Sequence, residues 1–152
     1  MTWTFQVGLA AESFLNILGA SLFLLFPDWC LAFAISPQAG DVPTTAAILL
    51  QTYAVMILTL TYPLLACIPN SPSAFLKRKI IYETFAAGEI GLIGLLLWHS
   101  TKREQESGFA PHVLLLAAVS LVPTLAWHLA VVWLWPSLMR GTEQNLDARK
   151  RI

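Results

Sequence analysis

Residues Ile80 to His99 read IIYETFAAGEIGLIGLLLWH, a stretch long enough to cross a bilayer that nevertheless carries two carboxylates. Glu89 sits near its middle, where an ionised acid costs on the order of 2.5–3.5 kcal/mol on insertion scales. A membrane segment that keeps such a group is expected to turn it toward protein or water rather than acyl chains. The small residues Ala86, Ala87, Gly88, Gly91 and Gly94 around it would let neighbouring helices approach closely and bury the acid in a bundle.

The rest of the chain fits that expectation. Its 152 residues are 57% hydrophobic and only 12% charged, and the mean hydropathy is +0.65, too apolar for an ordinary soluble domain. Four stretches reach the roughly 20 residues needed for a span, at Phe5–Phe26, Thr44–Ile68, Ile80–His99 and His112–Trp135. The expected fold is all-α, an integral membrane four-helix bundle over residues 1–139 followed by a polar cytosolic tail over 140–152. Between the first two spans, PDWCLAFAISPQAGDVP holds Trp29, Leu31, Phe33 and Ile35 between flanking acids, the pattern of a short element lying in the interface. The second link, PNSPSAFLKRK, has Pro69 and Pro72 to stop a helix and ends in three basic residues.

Lys and Arg count orients the chain. The N-terminus, second link and tail carry zero, three and four, against zero and two in the first and third links. Seven against two puts both termini in the cytosol. Formal net charge is zero and the charges are gathered in short segments, which gives no footprint for nucleic acid. Cys30 and Cys67 fall beyond opposite ends of the first hairpin, so both are expected to be free thiols. The last four residues, Arg149-Lys150-Arg151-Ile152, resemble the dilysine retrieval signal of endoplasmic reticulum membrane proteins, with Arg replacing one lysine; a basic patch touching anionic headgroups is the other reading.

Counting residues from the cytosolic side compares depths. Glu89 lies roughly 15 Å in, and Glu12 and His128 each roughly 12 Å in, at about 1.5 Å per residue. Three ionisable groups from three helices therefore share one layer. Asn16 shares a helix face with Glu12, Tyr82 one with Glu89, Trp127 adjoins His128, and Tyr62 of the second span reaches the same half of the membrane. Glu89, Glu12 and His128 are the candidate catalytic residues, and Asn16, Tyr82, Trp127 and Tyr62 the candidate substrate-binding ones. Together they would wall a small chamber open to the cytosolic leaflet.

A carboxyl in low dielectric favours its neutral form, as does a buried imidazole, so such a layer can do proton chemistry without a cofactor. Glu89 would give a proton to an alkene, epoxide or carbonyl of a lipid-like substrate; Glu12 or His128 would take one back. Each polar group also has a structural reading, as a hydrogen-bonding partner between packed helices. Gln51 is expected to play that part, and Glu83 to snorkel to the headgroups. No HxxxH or CxxC spacing supports a metal site.

With Glu12, Asn16, the IPNSP turn at Ile68 to Pro72 and the run from Tyr82 to Glu89, the chain resembles the small four-helix membrane proteins of filamentous fungal natural-product gene clusters. The larger terpene cyclases of meroterpenoid pathways are similar in using membrane-embedded carboxylates as acids, on seven spans rather than four. The sterol isomerase and sigma-2 receptor group is similar in architecture alone. The resemblance implies an intramembrane isomerase or cyclase of secondary metabolism in the endoplasmic reticulum, acting on a hydrophobic small molecule beside partner biosynthetic enzymes. A non-catalytic scaffold or lipid-binding subunit is the alternative.

Overall fold

The computed structural model describes residues 2–37 and 40–139. Six α-helices follow in order: α1 Thr2–Leu25, α2 Pro27–Ala34, α3 Thr44–Cys67, α4 Pro72–Ser100, α5 Glu104–Ser107 and α6 Pro111–Leu129. α6 continues through a wide π turn, Ala130–Leu134, into a 3-10 turn at Pro136–Met139. Four helices, α1, α3, α4 and α6 with its extension, are long and apolar enough to cross a membrane. The tail with its basic last residues, at 140–152, lies outside the described residues.

The second link departs from expectation. α4 begins at Pro72, eight residues before the expected span, because Ser71 caps it: the Ser71 hydroxyl accepts the Ala74 N–H at 3.2 Å and Pro72 occupies the first turn, where its missing N–H is not needed. Ser-Pro here starts a helix where Pro72 was read as stopping one. Ser71→Ala should cost about 0.5–2 kcal/mol, measurable as a lower unfolding temperature in detergent micelles.

The earlier start carries the basic run into α4 and turns Arg78 inward. Ala74, Arg78, Tyr82, Ala86 and Glu89 form one buried stripe at four- and three-residue spacing. Arg78 is 1% exposed and meets no carboxylate among the described residues. Its Nε and Nη2 donate to Cys67 O at 3.0 and 2.8 Å, Nη2 also approaches the carbonyls of Ile68 and Pro69 and the Asn70 side chain, and Nη1 donates to Met139 O at 3.2 Å. The last carbonyls of α3, the negative end of its dipole, supply the partial charge that offsets the cation. Phe5 and Phe75 cover the guanidinium at 4.9 and 4.8 Å. Gln6 Nε2 donates to Ile68 O at 2.9 Å, tying α1 to the same end of the bundle.

The opposite end is closed by loop pairing. Ile35 and Phe109 form an antiparallel bridge through Ser36 N–H to Gly108 O at 3.1 Å and Ala110 N–H to Ala34 O at 2.9 Å. Ser36 also donates to Glu104. On α2, Leu31 is buried while Trp29 and Phe33 face outward in edge-to-face contact at 4.8 Å.

Between these ends the helices pack as two close pairs, α1 along α3 and α4 along α6. Gln51 Nε2 donates to Leu24 O at 3.0 Å across the first pair, the interhelical role expected of it. Gly88, Gly91 and Gly94 do not make a close helix contact: a Cβ at any of them would meet open space. Close approach falls instead at Gly8, where a Cβ would come within 3.1 Å of the Trp127 ring.

Candidate active site

The helix pairs face each other across a polar centre. α6 runs its buried stripe through Leu114 and Ala118 to His128, one residue before Leu129 and the π turn, and the imidazole is fully buried. Its Nδ1 lies 2.9 Å from Glu89 Oε2 of α4, and its Nε2 lies 3.0 Å from Glu12 Oε1 of α1. Glu89 is 7% exposed, so the acid does turn into the bundle. The three groups that depth counting put in one layer are in direct contact.

Tyr82 lies tilted at 47° against the imidazole with ring centres 4.6 Å apart, Phe85 packs at 5.8 Å, and Phe5 meets Tyr82 edge-on at 5.4 Å. The Trp127 indole N–H donates to the Tyr82 hydroxyl at 3.3 Å. These aromatics pack around the His128 ring.

Two cavities flank the triad, not the single chamber expected. The first, about 420 Å³, lies between α3 and α4 and is lined by Tyr53, Met56, Leu60, Gly88 and Glu89 among others. It is largely apolar, and because Met56, Leu60 and Gly88 are exposed it opens on the outer face of the bundle. The second, about 500 Å³, lies between α1 and α6 and runs from Asn16 and Glu12 past Gly8, Thr124 and Trp127 to Thr4. Asn16 lines both. Each cavity sits where the two helix pairs are not closely packed, so the pairing itself leaves the openings.

Two of the expected substrate-binding residues line neither of these cavities. Tyr82 is wholly buried and lines neither cavity, so it supports the imidazole instead. Tyr62 is 74% exposed and also lines neither. The reason is helical: α3 buries Ala54, Thr61 and Leu64, and Tyr62 follows Thr61 by one residue, a rotation of about 100°. Tyr62→Phe should leave the unfolding temperature in detergent micelles unchanged, since the exposed side chain holds no buried contact. Glu83 pairs with Lys79 at 3.6 Å on the exposed face of α4, the solvated role expected. Arg78, which sequence reasoning left in a basic link, is the position it misplaced; the regular stripe from Ala74 to Glu89 was the available signal.

Proton counting follows from the geometry. Each of the two short contacts at His128 needs a hydrogen between nitrogen and oxygen, so the triad holds two protons. An imidazolium between two carboxylates satisfies this, and so does a neutral imidazole with one carboxylic acid and one carboxylate; either way the net charge is −1. Glu12 Oε2 and Ser13 Oγ, both buried, have no hydrogen-bond partner among the described residues, which leaves an acceptor free at the Glu12 end. Among the described residues no group of His, Cys, Asp and Glu is arranged to hold a metal ion.

No protein-family model, curated protein or solved structure matches the chain. Chemical assignment rests on the triad and its cavities.

Proposed function

We propose that this chain is an intramembrane acid/base enzyme, an isomerase or cyclase acting on a hydrophobic, lipid-like metabolite. One observation carries the reading: Glu89, almost wholly buried and bonded to His128, also forms part of the wall of an apolar groove open to the side of the bundle. A buried acid with a proton partner on one side and space for an apolar molecule on the other is what protonation of an alkene, epoxide or carbonyl requires. Glu89 O–H gives its proton to the substrate; loss of a proton from a neighbouring carbon returns it to the carboxylate and leaves an isomer or a ring. Asn16, at the junction of both cavities, offers an amide to orient a substrate oxygen.

In this reading the helices cross the membrane with both termini in the cytosol, the α3–α4 turn lies on the cytosolic side, and the endoplasmic reticulum is the site of action. The basic bias of the links and the resemblance to proteins of fungal natural-product clusters support that placement. Partner biosynthetic enzymes would supply the substrate through the bilayer.

A scaffold reading is favoured by a specific fact: His128 joins α1, α4 and α6 through both ring nitrogens, as a structural clamp would. Lipid extracts of host membranes containing wild-type chain or Glu89→Gln separate the two. Loss of a product with the protein retained supports catalysis, whereas unchanged products with lost recruitment of a partner enzyme support the scaffold.

A further inference from the structure

We infer that Glu12, His128 and Glu89 form a two-proton switch across the bundle, in which a proton moving onto Glu89 leaves the negative charge on Glu12 at the opposite cavity. The inference rests on the acid/base reading of Glu89 and adds a role for Glu12: it stores charge and does not touch the substrate.

The placement of the three groups carries it. Glu89 lines the α3/α4 groove and not the α1/α6 cavity; Glu12 lines the α1/α6 cavity and not the groove. His128, with no exposure of its own, touches one carboxylate with each nitrogen. The other groups facing it, Tyr82 and Phe85 of α4, carry no formal charge that would pin the proton at one end.

The step balances within the triad. In one state Glu12 O–H donates to Nε2 and Nδ1–H donates to the Glu89 carboxylate. As the Glu12 O–H bond breaks, an Nε2–H bond forms; the Nδ1–H bond breaks and a Glu89 O–H bond forms. Two protons each move one hydrogen bond, the imidazole changes tautomer, and the single negative charge passes from Glu89 to Glu12. The reverse shift restores the start once the substrate has returned its proton, so no external proton is consumed.

The two ends differ in their surroundings. The groove at Glu89 is walled by Met56, Ile57, Leu60, Phe85 and Leu92 together with Asn16, Tyr53 and Thr84, a largely apolar space on the side of the bundle. The cavity at Glu12 adds Thr4 and Thr124, and it extends from Asn16 to Thr4, twelve residues or roughly 18 Å of helix, toward the end of the bundle. Glu12 Oε2, buried and without a partner among the described residues, leaves one acceptor position unused at that end.

Nitrogen-15 spectra of the full chain in phospholipid bilayers, labelled at its three histidines, test the switch without a substrate. Glu89→Gln should pin hydrogen on Nε2 and leave Nδ1 bare; Glu12→Gln should do the opposite; the wild-type His128 signals should fall between the two or show both sets. His99 and His112, outside the triad, report that each variant is folded. Should a variant fail to insert, the infrared spectrum of the other suffices: the wild-type carboxylic C=O stretch should vanish in either glutamine variant, since each leaves one carboxylate and a neutral imidazole. A wild-type His128 that matches one variant, or that carries full hydrogens on both nitrogens, overturns the switch. Such a result with product still lost in Glu89→Gln removes only the switch; a free switch with product undiminished removes only the enzyme.

Discussion

Glu89→Gln is expected to lower product formation by roughly a hundred- to ten-thousand-fold, the range for removing a general acid, while the protein remains inserted and folded. Glutamine keeps the shape and length of the side chain, and its amide can still donate to the unprotonated His128 Nδ1, so the buried ring nitrogen keeps a hydrogen-bond partner. What disappears is the acidic proton at the groove wall. Product quantified from lipid extracts, normalised to chain recovered from the same membranes, reads the effect directly. Equal product per chain would remove Glu89 from the chemistry. An equal fall in product and in recovered protein would assign the residue to packing.

Arg78→Met should have the largest effect on stability, at least about 3 kcal/mol, because hydrogen bonds to a charged donor contribute about 1.5–3 kcal/mol each and several are lost together. Methionine fills the space between Phe5 and Phe75 but leaves the carbonyls of Cys67 and Met139 without their buried donor. Arg78→Lys should recover only part of the loss, since an ammonium lacks the planar fork that spans Cys67 and Met139 at once. Unfolding temperature in detergent micelles orders the three proteins. A Lys variant as stable as wild type would mean that charge alone, not the fork, holds this end together.

How far the residues foretold this arrangement depended on which physical signal each carried. The four long helices were legible because a span has a minimum length and the chain has four apolar stretches that reach it. The triad was legible because depth follows from counting at a fixed rise per residue, and Glu12, Glu89 and His128 count to one level. Rotation about a helix axis is a weaker signal in a membrane protein, where apolar residues face both lipid and core. Tyr62 was therefore placed on the wrong face. Arg78 was missed for a different reason: a basic run beside a proline looks like a solvated link until Ser71 is recognised as a cap. Nothing local shows that α1 pairs with α3 and α4 with α6, and the division of one chamber into two cavities follows from that pairing.

The closure of both ends has a kinetic consequence. Arg78 fastens α3, α4 and the 3-10 turn at one end, and the Ile35–Phe109 bridge fastens the links at the other, so the α3/α4 groove is reached through its flank rather than along the bundle axis. On the proposed acid/base reading, a substrate that arrives by that route would be dissolved in lipid, and its encounter rate would follow its mole fraction in the bilayer rather than its aqueous concentration. Diluting the membrane with inert phospholipid at constant total substrate would then slow turnover, the surface-dilution behaviour of enzymes whose solvent is two-dimensional.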